Sequence, residues 1–167
     1  PDAYVATTRE DDRLTITLTN PQARNGICAA MRDALFEALA AAIDDPTCPQ
    51  VLLDGAGGCF STGGVLGEFG TARDLAQAHL VRTLRSCAGL LHRLGDRATA
   101  RLHRACIGSG IEIPAAAARR IGSPDAFFQL PELSMGLMPG AGGTVSLPRA
   151  IGRHRAAYMM LTGERIR

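Results

Sequence analysis

The chain has 167 residues, 46% of them hydrophobic, which suffices for one domain with a real core. Its net charge is only +2 with both signs interspersed, so the basic footprint of a nucleic-acid binder is absent. No long apolar span and no signal-like n-region and h-region occur, which argues against membrane insertion and secretion and for a cytoplasmic protein.

Residues 13–19, RLTITLT, alternate Leu14, Ile16 and Leu18 with polar side chains, the two-residue period of a strand with one buried face. Asn20-Pro21 breaks it. Residues 29–45 carry Met31, Leu35, Leu39 and Ile43 four apart on one face, and Asp45-Pro46 closes this amphipathic helix. Residues 50–54 form a short apolar run of the kind that parallel sheets bury. The order strand, helix, strand implies a right-handed crossover.

A glycine-rich loop follows, GAGGCFSTGG at 55–64. A Walker loop would need Lys and Ser or Thr after Gly63, where Gly64 and Val65 stand. The dinucleotide pattern fails as well, because Phe60 occupies its last glycine position. No G-x-S-x-G elbow occurs, so an α/β serine hydrolase has no nucleophile motif. Residues 71–93 read as one helix, with Leu75, Ala78, Leu84, Ala88 and Leu91 apolar, Thr71-x-x-Asp74 as its start signal and Arg73, Arg82, Arg85 and Arg93 on a solvated face. Residues 100–107 read as the next strand and 149–161 as a last helix, in which Ala156, Met159 and Met160 are available for packing. No long-period repeat divides the chain, and residues 1–167 form one α/β domain.

Aromatic residues make up 4% and tryptophan is absent, so aliphatic packing must dominate. All 18 basic residues are arginine, a coding bias more than a function. The five cysteines, 28, 48, 59, 87 and 106, contain no Cys-x-x-Cys pair and are expected as reduced, mostly buried thiols. Histidines 79, 92, 103 and 154 lack close ligand spacing, so no metal site is expected. The chain begins at Pro1 rather than methionine, as a processed, trimmed or partial chain would.

The chemistry concentrates in residues 104–144. Gly108 and Gly110 permit close backbone approach to a ligand. The helix expected to start near Ile111 would present free amides and a positive dipole end, suited to a developing oxyanion. Glu112 lies between Ile111 and Ile113 and before four alanines, so desolvation should raise its pKa toward the range of an acid or base; the alternative is an exposed first-turn acid. Glu132 follows Leu130-Pro131 and an aromatic pair, which suggest a partly buried strand or turn; taken alone, a surface acid is the alternative. Two carboxylates converging from different segments are a recurrent way to divide acid and base duties, although spacing alone does not establish convergence.

The runs CFSTGGVLGEF (59–69), ACIGSGIEI (105–113), LPELSMGLMPGAGGTVSLPR (130–149) and LTGERI (161–166), with TITLTNPQARNG (15–26), resemble the enoyl-CoA hydratase, or crotonase, family in order and separation. The PE-x4-G-x2-PGAGGT block is the most specific of them. The resemblance implies a spiral of ββα units, normally followed by helices that complete the active site and assemble trimers or dimers of trimers; this chain ends at Arg167, about where those helices would begin. It implies an acyl-CoA substrate, with coenzyme A as part of the substrate and no separate cofactor. The amides of Gly64 and Ser109 would form the oxyanion hole, and Glu112 and Glu132 would share activation of water and proton delivery to the α carbon. Substrate contacts would fall at Ala23, Arg24, Thr62, Val65, Leu66, Gly108 and Gly140, with the backbone around Ala23 near adenine and Arg24 within reach of a phosphate.

Two glutamates favour a hydratase over an isomerase, which needs only the second. A hydrolase or decarboxylase of the same fold, and a silent CoA-binding subunit, stand as the other readings. Val65 and Ala118 stand where the family usually has Asp, and Arg104 and Ser109 where it usually has Gly.

Overall fold

The computed structural model describes residues 4–167. β1 (Val5–Glu10) and β2 (Arg13–Leu18) form an antiparallel hairpin, with Glu10 opposite Arg13 and Val5 opposite Leu18. The polar TTRE half of β1 disguised it as a terminus, and pairing with β2 makes it the sheet's outer strand. α1 (Ala29–Asp44) buries Met31, Leu35, Leu39 and Ala42, a stripe at helical spacing laid against β2 and the helix at Cys87–Leu94. β3 (Gln50–Gly55) then runs parallel to β2, with Leu53 opposite Ile16.

The helix expected over 71–93 is two helices, α2 (Leu75–Leu84) and α3 (Cys87–Leu94). Ser86 causes the break: its hydroxyl accepts the amide of Gly89 at 3.1 Å, starting a new helix where the old one would continue. Asp74 caps α2 in the same way through Gln77. α3 buries Cys87, Ala88, Leu90, Leu91 and Leu94, whereas α2 buries none of its residues.

The strand expected over 100–107 is likewise two, β4 (Ala98–Leu102) and β5 (Ala105–Ile107), which belong to different sheets. The corner is Arg104, whose φ of 48° turns the chain out of the first sheet. The His103 and Arg104 carbonyls at the corner accept the amides of Phe60 and Phe127. After the single-turn helix α4 (Ser109–Glu112) come β6 (Arg119–Gly122) and β7 (Phe127–Gln129). The final helix expected over 149–161 is α5 (Gly143–Ile151) and α6 (Arg153–Thr162), divided at Gly152 with φ 84°.

The five-stranded sheet has the order β1-β2-β3-β4-β6, parallel from β2 onward. A second, smaller layer pairs β5 with β7 and is extended by bridges from Ser61 to Cys106, Ile27 to Gly64 and Phe128 to Ile166. Each passage of the chain therefore places one strand in the first sheet and one segment in the second, then closes with a helix. This is the spiral of ββα units. The buried core includes Ile16, Leu53, Phe60, Leu91, Leu102 and Leu130. The five cysteines are unpaired; four are buried, and burial pushes the Cys87 and Cys106 thiols up to about 12. Among the described residues no helix is long and apolar enough to cross a membrane.

Candidate active site

The small sheet sets the site. Ser61 beside Cys106, and Ile107 opposite Gln129, bring three chain passages into register, so the segments that leave them emerge side by side. On the first passage is Gly63-Gly64, on the second Gly108-Ser109, on the third Pro131-Glu132. The first two touch: a Cβ on Gly63 would lie 2.6 Å from the Ile107 carbonyl oxygen, and one on Gly110 would lie 2.6 Å from that of Ser61. Only glycine fits there. Gly108, with φ 53°, turns the backbone into α4, which begins at Ser109, two residues before the expected start.

Among the described residues, the amides of Gly64 and Ser109 donate to no acceptor. Their neighbours are engaged: Gly63 donates to Ser61 Oγ at 3.1 Å, Val65 to the Ile27 carbonyl at 3.3 Å and Gly108 to the Gln129 carbonyl at 2.9 Å. Two adjacent unengaged donors can receive one oxygen that carries developing negative charge. The Phe69 ring, 47% exposed, covers Gly64, with Cζ 2.8 Å from the position a Cβ would take.

Glu112 ends the single turn of α4 and is 2% exposed. Its Oε2 accepts the amides of Ala141 at 2.7 Å and Gly143 at 2.9 Å, both from the PGAGG turn. Its pKa is raised to about 7, by burial first and also by the charge of Glu132, against the pull of the Gly143, Ala141 and Gly140 amides. Glu132 begins the 3-10 turn Glu132–Met135 and is 9% exposed. Its Oε1 faces Gly108, while its Oε2 is buried without a hydrogen-bond partner. Burial raises this carboxyl as well. The two acids, which the sequence separates by twenty residues, thus share one site with a split environment: one is held by amides, and one has an oxygen unengaged.

Gly140 lies in the same turn, one residue before the Ala141 amide that holds Glu112. Arg82 of α2, exposed as the sequence pattern expects, packs against it. The remaining expected contacts separate into two groups. Arg24, with φ 51°, accepts the Thr62 amide on its carbonyl at 3.1 Å, and both line a cleft of about 330 Å³ with Cys59, Arg104, Phe127 and Arg165. Ala23 ends the adjacent 3-10 turn. Val65, by contrast, turns a methyl group toward Gly26, and Leu66 is 64% exposed.

Sequence reasoning missed Asn25. This residue is fully buried with φ 52°; its Nδ2 lies 2.8–3.0 Å from the carbonyls of Ala56, Cys59 and Phe60, and its Oδ1 accepts the Asn20 amide. It pins the glycine loop from below. Asn25-Gly26 reads as a turn signal, which accounts for the backbone and not for these partners. Ser146 was also missed; its hydroxyl donates to the Glu112 carbonyl at 2.9 Å. No group of three or more His, Cys, Asp or Glu that could hold a metal ion occurs among the described residues.

Comparison with known proteins follows the same lines. The family model for enoyl-CoA hydratase/isomerase matches residues 9–167. The 2,3-dehydroadipyl-CoA hydratase of Escherichia coli is 33% identical over 158 residues, covering 95% of this chain and 61% of that protein. The fatty acid oxidation complex subunit alpha of a Shewanella species is 35% identical over 172 residues, covering 96% of this chain and 24% of that protein. A crystal structure of enoyl-CoA hydratase from Thermoplasma volcanium superposes with a TM-score of 0.88 at 30% identity, covering 99% of this chain and 66% of the other. The chain therefore spans less than two thirds of the length of these proteins.

Proposed function

The chain belongs to the enoyl-CoA hydratase/isomerase family, and from that premise we propose that it adds water across the 2,3 double bond of an acyl-CoA thioester. The observation that carries the reading is the pair of buried acids: Glu132 with an unpartnered Oε2, beside Glu112 whose Oε2 is already held by two amides.

In this reading the thioester carbonyl accepts hydrogen bonds from the amides of Gly64 and Ser109. As the water oxygen bonds to the β carbon, the π electrons move toward the carbonyl and charge accumulates on its oxygen. One fixed donor aimed there is typically worth about 3–4 kcal/mol of barrier. Because the donors are backbone, Ser109 serves as well as glycine. One carboxylate of the pair takes the proton that water gives up, and the other, protonated, delivers one to the α carbon. Burial raises both carboxyls, and the charge of Glu132 adds to the rise at Glu112, which favours a proton held within the pair. The reaction is redox-neutral and calls for no group beyond the CoA of the substrate.

The test follows the loss of conjugated thioester absorbance with crotonyl-CoA. Turnover by the wild-type chain that falls roughly a hundredfold or more in Glu132→Gln supports the two-carboxylate mechanism. Absence of turnover in folded protein that still binds CoA thioesters overturns it.

A further inference from the structure

Arg82 of α2 packs against Gly140, in the turn whose amides hold Glu112, and among the described residues it has no partner. A Cβ on Gly140 would lie 3.1 Å from Arg82 Cζ, 3.2 Å from Nη1 and 3.3 Å from Nε. Near-equal distances to three atoms of the group mean that the guanidinium lies face-on over the glycine, which leaves the N–H donors along its edge free. Among the described residues Arg82 makes no hydrogen bond and no ion pair. Arg85, one turn away, is engaged: it sits 3.4 Å from Glu37, 3.7 Å from Asp33 and over the Phe36 ring. Among the described residues no ion pair joins Arg82 to Glu112, whose Oε2 accepts the Ala141 and Gly143 amides.

Position decides what this free fork can meet. On the hydration reading, on which this inference rests, the carbonyl sits at the Gly64 and Ser109 amides and the reacting carbons between Glu112 and Glu132. Gly140 borders Glu112, so Arg82 lies on the acyl side of the thioester. Arg24, which was expected to reach a CoA phosphate, lies in the other cleft with Arg104 and Arg165.

We propose that Arg82 is a specificity-determining residue and that the acyl group of the substrate carries a carboxylate, which the guanidinium edge receives. A planar fork over a glycine is suited to bidentate carboxylate binding, and a side chain at position 140 would obstruct it.

The experiment is calorimetric titration of the full chain with two pairs of saturated, unreactive thioesters matched in length: butyryl-CoA against succinyl-CoA, and hexanoyl-CoA against adipyl-CoA. Wild type, Arg82→Gln and Arg82→Lys are compared, with circular dichroism confirming that each is folded. The carboxylated member of at least one pair should bind about tenfold tighter or more, as a charge-assisted bidentate contact predicts. Arg82→Gln should remove that preference while holding the Kd of the uncharged member within about twofold, and Arg82→Lys should restore part of it. Equal binding within both pairs overturns the inference, as does a preference that survives Arg82→Gln. If hydration of crotonyl-CoA proceeds in the same preparation, that failure belongs to Arg82 alone; if no thioester binds or turns over, the hydratase reading fails with it.

Discussion

A methyl group on Gly108 would stand 2.8 Å from Oε1 of Glu132, so the residue that opens α4 and the acid that follows β7 are packed to contact. Gly108 also has φ 53° and ψ −125°, a conformation open in practice to glycine. Gly108→Ala is therefore expected to lower stability by about 2 kcal/mol, or roughly 4–8 °C in Tm for a chain of this size. Turnover should fall further than stability does, because the displaced group is the Glu132 carboxylate. Thermal melting and crotonyl-CoA hydration on one preparation separate the two losses.

Glu112 makes stability depend on pH in a defined direction. Its carboxyl is raised from 4.5 to about 7 in the folded protein, so the folded state holds a proton that the unfolded state has released between those values. Stability is then full below pH 4.5 and falls as pH rises toward 7, by on the order of 3 kcal/mol for this group. In Glu112→Gln this contribution disappears. Melts of both proteins from pH 4.5 to 8 should converge at the acid end and separate at the alkaline end in favour of the variant; a constant difference would contradict the assignment. The hydration rate of the wild type should carry an inflection near pH 7 that belongs to the acid pair and is lost in the variant.

Much of this arrangement is legible in the chain because local patterns agree with it. The Leu14, Ile16 and Leu18 alternation, and the Met31, Leu35 and Leu39 stripe, each point their apolar side to the core as their periods require. The apolar neighbours of Glu112 point to a buried acid, with an exposed first-turn acid as the alternative, whereas Glu132 taken alone reads equally as a surface residue. Their convergence is not legible, since it depends on the pairing of β5 with β7, in which Ala105 meets Phe127 and Ile107 meets Gln129. Breaks inside elements were hidden by competition at single residues: Ser86 caps a helix within a helical run, and Arg104 turns a corner within an apolar one. The approach of Arg82 to Gly140 joins an exposed helix to a distant turn, and no local pattern carries it. The glycines of PGAGG did carry one unread signal. A turn with so little side chain exposes its amides, and Glu112 takes two of them.

Arg104 occupies a left-handed corner, φ 48°, where its side chain makes an exposed ion pair with Asp125 at 3.1 Å. A β-carbon in that region costs about 1–2 kcal/mol, whereas glycine costs the unfolded state about 0.4–1 kcal/mol in added freedom. Surface ion pairs offset little of the difference. Arg104→Gly should raise Tm by roughly 1–4 °C, measured by calorimetry against Arg104→Ala, which loses the ion pair without relieving the backbone and should not gain.

Asn25 offers the sharpest separation of a hydrogen-bonding role from a steric one. Asparagine and aspartate have the same shape, and the left-handed φ of 52° suits both, so Asn25→Asp changes only what the side chain can donate and its charge. The wild-type Nδ2 serves the Ala56, Cys59 and Phe60 carbonyls, and Ser61 Oγ donates to the Asn25 carbonyl before accepting Gly63. Aspartate would leave those carbonyls unpaired and place a carboxylate against them in a fully buried position. A loss of about 3 kcal/mol or more is expected, read as a lower urea midpoint at unchanged slope. Because the same three carbonyls fix the loop that ends in Gly64, the surviving folded fraction should also bind CoA thioesters more weakly. Asn25→Asp with wild-type stability would show that the loop is held by packing, and the account of its positioning would have to be rebuilt on Gly63 and Gly110.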